Sequence, residues 1–323
     1  MENKRVSIVL CTYQGGKYLR EQLDSIIAQT YPLYEIIIQD DGSTDDTMDI
    51  LNAYAERFPY IHVFSNEKEH GINGNFLSAI RRARGEYIAI SDQDDRWEAD
   101  KIERQMEAIG SHLLCSGHSR PFSEDGSFAW YDNRRPNTSL IRMMFLCLPG
   151  HTLLFHRDLF FKKMPIESEM YKVSVYDAAL CITAAAYNSI VYVDEVLVNF
   201  RRHEQAATYN DFSRSLPSWK NGLYIISWSL RNYRKARKVA KRIFHSKLDL
   251  LEKISSEEEI YKEAISILQL EQKDDFISFV KLQWHFIRNH HRLFQTYGGG
   301  GKKILRAALY PIMQLYMYHQ AVR

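Results

Sequence analysis

Tyr87 to Asp95 reads Tyr-Ile-Ala-Ile-Ser-Asp-Gln-Asp-Asp, an apolar run that drops directly into three carboxylates. Asp92, Asp94 and Asp95 crowd the end of an expected buried strand. Like charges this close are costly in a low-dielectric setting unless a cation or a charged ligand neutralises them. A hard divalent cation, Mg²⁺ or Mn²⁺, is the natural partner, because such ions are held by one or two carboxylates together with substrate phosphates. The pattern points to a metal-dependent site for a diphosphate-bearing substrate. The alternative is a solvated acidic turn capping a helix that starts near Trp97.

The periodicity shows what must position these groups. Over the first hundred residues, strand and helix patterns alternate with short connections, the mark of an α/β fold with a mostly parallel sheet flanked by helices. Strands are expected at Val6 to Leu10, Glu35 to Gln39, Tyr60 to Phe64 and Glu86 to Ile90. Helices are expected on Leu19, Leu23 and Ile26, on Met48, Leu51 and Tyr54 with Ser43 or Thr44 as cap, on Ile72, Phe76 and Ile80, and on Ile102, Met106 and Ile109. Ligands of open parallel sheets bind outside the carboxyl ends of the strands, which singles out the loops Cys11 to Lys17, Asp40 to Asp45 and Ser91 to Asp95. Residues 110–145 are expected to form short antiparallel strands and a mobile loop. Asp177 opens a helix pattern, Ile190 to Val193 reads as a strand, and the chain turns helical from about Arg201.

The 323 residues carry a formal net charge of +2, which implies no general attraction to nucleic acid. Cys11, Cys115, Cys147 and Cys181 are scattered without a Cys-x-x-Cys pair, fitting a reduced cytosolic setting. The apolar stretch from Val6 to Cys11 is too short for a signal peptide, and no segment reaches the roughly 20 apolar residues of a membrane span. A cytoplasmic protein, soluble or peripheral at the inner face of the cell membrane, is expected.

Three motifs, in order, carry a family resemblance: Val6 to Lys17 (VSIVLCTYQGGK), Ile36 to Thr47 (IIIQDDGSTDDT) and Gly71 to Trp97 (GINGNFLSAIRRARGEYIAISDQDDRW). Two weaker ones follow, Pro149 to Arg157 (PGHTLLFHR) and Val175 to His203. The chain resembles the family 2 glycosyltransferases of GT-A fold, and its Asp-Gln-Asp-Asp is most like bacterial rhamnosyltransferase-like members. The resemblance implies a catalytic domain over 1–205, with a nucleotide-binding half (1–110) and an acceptor-side half (111–205), followed by a helical extension (206–323). It also implies that Thr12 and Tyr13 hold the nucleotide base, that Asp40 accepts from the pyrimidine N–H, and that Asn75 belongs to the nucleotide-sugar site. Asp92 would contact the ribose, Asp94 would hold the cation bridging two phosphates, and His203 would meet the metal or the diphosphate, with Arg201 or Arg202 adding a phosphate contact. Asp177 stands where the family carries its general base. His151, where relatives often place a small residue or Cys, and Tyr176, in place of the usual His or Glu before the base, depart from the pattern.

That reading is an inverting, metal-dependent transferase moving a sugar, with rhamnose as the pointer, from a UDP- or dTDP-sugar to a glycan or lipid-linked acceptor of a cell surface. Its rivals are an inactive scaffold that keeps the fold, and a nucleotidyltransferase that makes sugar nucleotides. In the last third, Trp219, Leu223, Ile226, Leu230 and Tyr233 fall on one helical face, read as packing on the catalytic domain. Arg231 to Lys247 holds eight Lys and Arg and no acid, and could pair with the acids between Glu252 and Asp275. Beyond Asp275, basic residues alternate with Trp284, Phe286, Phe294, Leu305, Leu309, Tyr310, Tyr316 and Tyr318, a pattern that fits an anionic membrane contact through 276–323, the alternative being a helical cap or dimer surface. The Gly298 to Gly301 run reads as a flexible joint.

Overall fold

Four apolar runs form the parallel part of an eight-stranded sheet: β1 (Val6–Thr12), β2 (Glu35–Asp40), β3 (Ile61–Ser65) and β4 (Tyr87–Ser91). The computed structural model describes residues 4–126, 132–203, 219–256, 258–295 and 300–322. Every residue of β1 and β2 is buried, because helices cover both faces. Alternate side chains of β1 serve the two sides. Ile8 and Leu10 join Leu19, Leu23 and Ile26 of α1 (Gly16–Ile27) and Ile50 and Leu51 of α2 (Thr47–Arg57). Val9 and Cys11 join Phe76 and Ile80 of α3 (Ile72–Arg82).

Neither Ser43 nor Thr44 caps α2. The helix starts later, at Thr47, and the Ser43 hydroxyl turns back to donate to Asp40. No helix starts at Trp97 either. Arg96–Trp97 is a two-residue strand, β5, and α4 begins at Lys101 (Lys101–Ile109).

After α4 the sheet becomes mixed. β6 (Leu114–Phe122), α5 (Leu140–Met143), β7 (Leu154–His156), α6 (Met170–Val173), α7 (Tyr176–Ala186) and β8 (Ile190–Arg201) follow, and the strand order is β3-β2-β1-β4-β7-β6-β8-β5. β7 runs antiparallel to both β4 and β6, β8 runs parallel to β6, and β5 closes the edge antiparallel to β8. The parallel expectation therefore holds as far as β4, beyond which short β7 reverses direction. Part of the loop expected between 110 and 145 lies outside the described residues, at 127–131.

The helical third comprises α8 (Trp219–Arg231), α9 (Tyr233–Glu252), α10 (Glu259–Glu271), α11 (Phe276–Arg288), α12 (His290–Leu293) and α13 (Gly300–Met313). Its link to the sheet, including the 205/206 boundary, lies outside the described residues. Phe145 is its anchor, meeting Phe244, Phe286 and Tyr310 edge-on at ring distances of 5.4, 5.1 and 5.8 Å. Phe286, Phe294 and Tyr310 are thus core residues, although the alternation with basic residues suggested a membrane face. Conversely, Trp219, Leu223, Leu230 and Tyr233 of α8 and the start of α9, expected to pack inward, face solvent, and Trp219 is 73% exposed. The basic run of α9 pairs only in part: Arg237 forms a buried ion pair with Glu271, and both Arg237 and Lys241 reach Asp274. Gly298 and Gly299 lie outside the described residues, while Gly300 and Gly301 begin α13.

Candidate active site

The ends of β1 and β2 are joined by Thr12, whose hydroxyl donates to Asp40 Oδ1 at 2.7 Å. Asp40 is buried and accepts from four groups: the hydroxyls of Thr12 and Ser43 on Oδ1, and the N–H groups of Gly42 and Ser43 on Oδ2. It therefore shapes the turn. Asp41 instead accepts from the Asn66 amide and the Gly71 N–H and pairs with His70 Nδ1 at 2.9 Å, linking this loop to the entry of α3. Asn75, on the first turn of α3, donates to Gln39 O at 3.1 Å and more weakly to Thr12 O at 3.4 Å. Its buried Oδ1 has no partner among the described residues.

Tyr13 is exposed at the mouth of this pocket, its backbone clamped by Gln93: Tyr13 N–H donates to Gln93 Oε1 at 2.9 Å and Gln93 Nε2 donates to Tyr13 O at 3.0 Å. That clamp explains Gly15, since a Cβ there would sit 2.3 Å from Gln93 Oε1. The loop after β1 and the acidic loop after β4 are thus locked together by the residue inside the Asp-Gln-Asp-Asp motif.

The three carboxylates of that motif take different surroundings. Asp92 is half-buried, its Oδ2 3.4 Å from His151 Nδ1. Asp94 lies 2.8 Å from His203 Nε2; burial, then the charge of Asp92, raises its carboxyl above the ordinary range while His203 opposes. Asp95 is fully buried, accepting from Arg201 N–H on Oδ1 while Oδ2 has no hydrogen-bond partner and lies 3.7 Å from His151 Nδ1. Burial, reinforced by Asp92 and Asp94, holds the Asp95 carboxyl well above the usual carboxylate range. His151 completes the cluster from the short helical turn Gly150–Thr152. Its Nε2 meets Ser119 Oγ at 2.8 Å and its ring stacks on Phe200 at 4.9 Å. Burial alone would lower its pKa, but Asp95 and Asp92 outweigh burial and raise it.

Ligand atoms of Asp92, Asp95 and His151 all lie within 4.8 Å of one another. Two carboxylates, an imidazole and an unsatisfied buried oxygen suit a hard or borderline divalent cation, and Asp94 with His203 offers a second donor pair beside it. Reading the motifs grouped Asp95 with Asp92 and Asp94 at the strand end but gave it no ligand role of its own, and it read His151 only as a departure from the family pattern. Arg201 is not available to a phosphate: it is buried, donates to Asp94 O and Glu21, and lies over Tyr18 and Phe122.

Asp177 lies beside Gly150, the residue before His151. It lies in the first turn of α7 and is not the cap, which is Val175. Asn73 of α3 holds the entry to this helix, accepting from Tyr176 N–H and donating to Tyr171 O and Ser174 O, and the Tyr176 ring stacks on Phe76 at 4.3 Å. Loss of hydration pushes the Asp177 carboxyl up to about 6; the Ala178 and Gly150 N–H groups oppose, while the charge of Asp92 adds to the rise. A carboxylate poised there suits proton abstraction near neutral pH.

Residues 7–172 match the model for glycosyl transferase family 2. Among curated proteins, an uncharacterized glycosyltransferase of Rickettsia typhi is 30% identical over 63% of this chain and 65% of its own length. A Bacillus subtilis protein named for teichuronic acid biosynthesis, TuaG, is 39% identical over 32% of this chain and 40% of its own. The chain thus spans less than two thirds of the length of these relatives. Among solved structures, Staphylococcus aureus TarS 1-349 in complex with UDP-GlcNAc superposes with a TM-score of 0.57 at 14% identity, covering 98% of this chain and 92% of that one. The mannosyltransferase PcManGT of Pyrobaculum calidifontis, in complex with GDP-Man and Mn²⁺, gives 0.53 at 18% identity over 100% and 87%. These likenesses establish a GT-A-like fold that extends through the helical region.

Proposed function

Since the chain belongs to glycosyl transferase family 2, we propose that it is an inverting, divalent-metal-dependent enzyme that transfers a sugar from a UDP- or dTDP-sugar to a glycan or lipid-linked acceptor in cell-surface polysaccharide synthesis. One observation carries this reading: Gly150, where a Cβ would lie 3.4 Å from Asp177 Oδ2, directly precedes His151, whose Nδ1 is 3.4 Å from Asp92, so Asp177 and the acidic loop after β4 border the same short turn. TuaG, named for teichuronic acid biosynthesis, supports a surface-glycan acceptor, the UDP-GlcNAc bound to TarS supports a UDP-sugar donor, and rhamnose rests on the Asp-Gln-Asp-Asp motif alone.

In this reading Tyr13 stacks on the base, and Thr12, Asp40 and Asn75 line its floor. Asp92 holds the ribose. Asp94 and His203 would hold the cation together with the neighbouring Asp95 and His151, and when bound it would neutralise charge growing on the departing diphosphate. Asp177 takes the proton from an acceptor hydroxyl as that oxygen bonds to the anomeric carbon and the bond to the diphosphate oxygen breaks. A single displacement inverts the anomeric centre. Calorimetric titration with UDP and dTDP, with and without Mn²⁺, tests the donor site. Tight binding that needs metal supports it, and no binding of either nucleotide under any condition would leave the inactive-scaffold reading in its place.

A further inference from the structure

Charge is distributed along this chain in blocks. Phe212 to Leu248 and Phe276 to Arg323 carry seventeen Lys and Arg and no acid, leaving forty acids against twenty-five bases elsewhere. Among the described residues, thirteen of the nineteen exposed large apolar side chains fall in these two acid-free segments. They form stripes. On α11, Ile277, Val280, Trp284 and Ile287 recur at helical spacing on the solvent side, behind Phe276, which is 79% exposed. α13 adds Ile304 and Leu305, and α8 adds Trp219, Leu223 and Leu230. α13 packs against both α11 and α8, so the stripes belong to one helical layer.

Cations are interleaved with this apolar surface. Lys220, Arg231, Arg234, Lys281, Arg288 and Lys302 are exposed and make no ion pair among the described residues. Arg288 lies over the Trp284 ring at 5.3 Å and Lys220 near the Trp219 ring at 5.9 Å, placing charge above an amphipathic aromatic. We propose that the α8–α11–α13 layer seats the protein on an anionic lipid bilayer, inserting its apolar stripes among the acyl chains while the cations meet the headgroups. Aliphatic side chains such as Ile277, Val280 and Leu305 give a nucleic acid nothing to contact. A second copy would set like charges against each other across an isologous interface. An anionic bilayer satisfies both components. No described helix is long and apolar enough to cross a membrane, so the contact is interfacial. The proposal deepens the transferase reading, for it places the pocket at the surface where a lipid-linked acceptor resides.

The test is co-sedimentation of the full chain with vesicles of phosphatidylcholine alone or mixed with phosphatidylglycerol, with UDP binding measured on the same samples. Binding is expected only to the anionic vesicles, weakening about fivefold for each cation removed. Lys281→Glu with Lys302→Glu, and separately Ile277→Asp with Trp284→Asp, should each release the protein while UDP affinity stays unchanged. Absence of vesicle binding, equal binding to both lipids, retention by both double variants, or a switch to duplex DNA or to a Trp284-dependent dimer would each overturn the proposal. Because UDP binding is read independently, loss of the donor site would be recognised as failure of the transferase reading rather than of the membrane contact.

Discussion

The Asp177 carboxyl ties catalysis to stability with opposite signs, which makes it the most exacting residue to perturb. Its pKa lies near 6, held up by burial and by Asp92. Roughly nine-tenths of it is ionised at pH 7 and roughly one-tenth at pH 5, so a base-limited transfer rate falls about tenfold between them. Asp177→Asn keeps one oxygen to accept from the Ala178 N–H, so α7 still starts correctly, but the variant should lose about 10²–10⁴-fold in turnover. Stability runs the other way. A carboxyl whose folded pKa is raised favours the fold fully below its unfolded value near 4 and loses that contribution as pH rises through 6. Removing its charge should therefore raise the stability at pH 8, by about 1–2 kcal/mol once screening by solvent is allowed for. The assays are UDP release from donor and acceptor across pH 4.5 to 8, and thermal melts at pH 5 and 8. An Asn variant that turns over within threefold of wild type, or that melts lower at pH 8, would refute the assignment.

Asp94→Asn should abolish Mn²⁺-dependent nucleotide binding in calorimetry, whereas unchanged affinity would remove Asp94 from the metal site. His151→Ala leaves Asp95 buried without its counter-charge, so the melting free energy should fall by about 2–4 kcal/mol and Mn²⁺ affinity should drop with it; a variant of wild-type stability and metal affinity would show that His151 is packing only. Gly74→Ala would place a Cβ 1.8 Å from the Glu69 carbonyl, so it should cost about 1–3 kcal/mol in chemical denaturation, and a neutral result would mean that the β3–α3 loop yields freely. Arg237→Ala strands the buried Glu271 carboxylate, which among the described residues otherwise receives only Gln314 Nε2 at 2.6 Å, and should cost about 3–5 kcal/mol, read as a lowered denaturation midpoint.

The sheet and the acidic loop were legible in the chain because their signals are local. Continuous apolar runs such as Ile36 to Ile38 can only be strands buried on both faces, and Asp40, Asp92 and Asp94 sit where such strands must end. What could not be read was whatever depends on distance along the chain. His151 and Asp92 are fifty-nine positions apart and meet only because β7 returns antiparallel beside β4. Asp95 and Arg201 meet across the β5–β8 pairing, which is two residues long and has no periodicity to announce it.

The helical third shows a different limit. Trp219, Leu223, Ile226, Leu230 and Tyr233 repeat at the spacing of a core stripe, and so do the buried Phe244, Leu248 and Leu251 of α9. Spacing states that a face is apolar; it does not state what covers that face. Charge supplies what spacing lacks. The buried face of α9 has Glu271 of α10 and Asp274 just beyond that helix to receive its Arg237 and Lys241, whereas the stripes of α8, α11 and α13 run through segments that contain no acid at all. An apolar face flanked by unanswered cations calls for a partner that is both apolar and anionic.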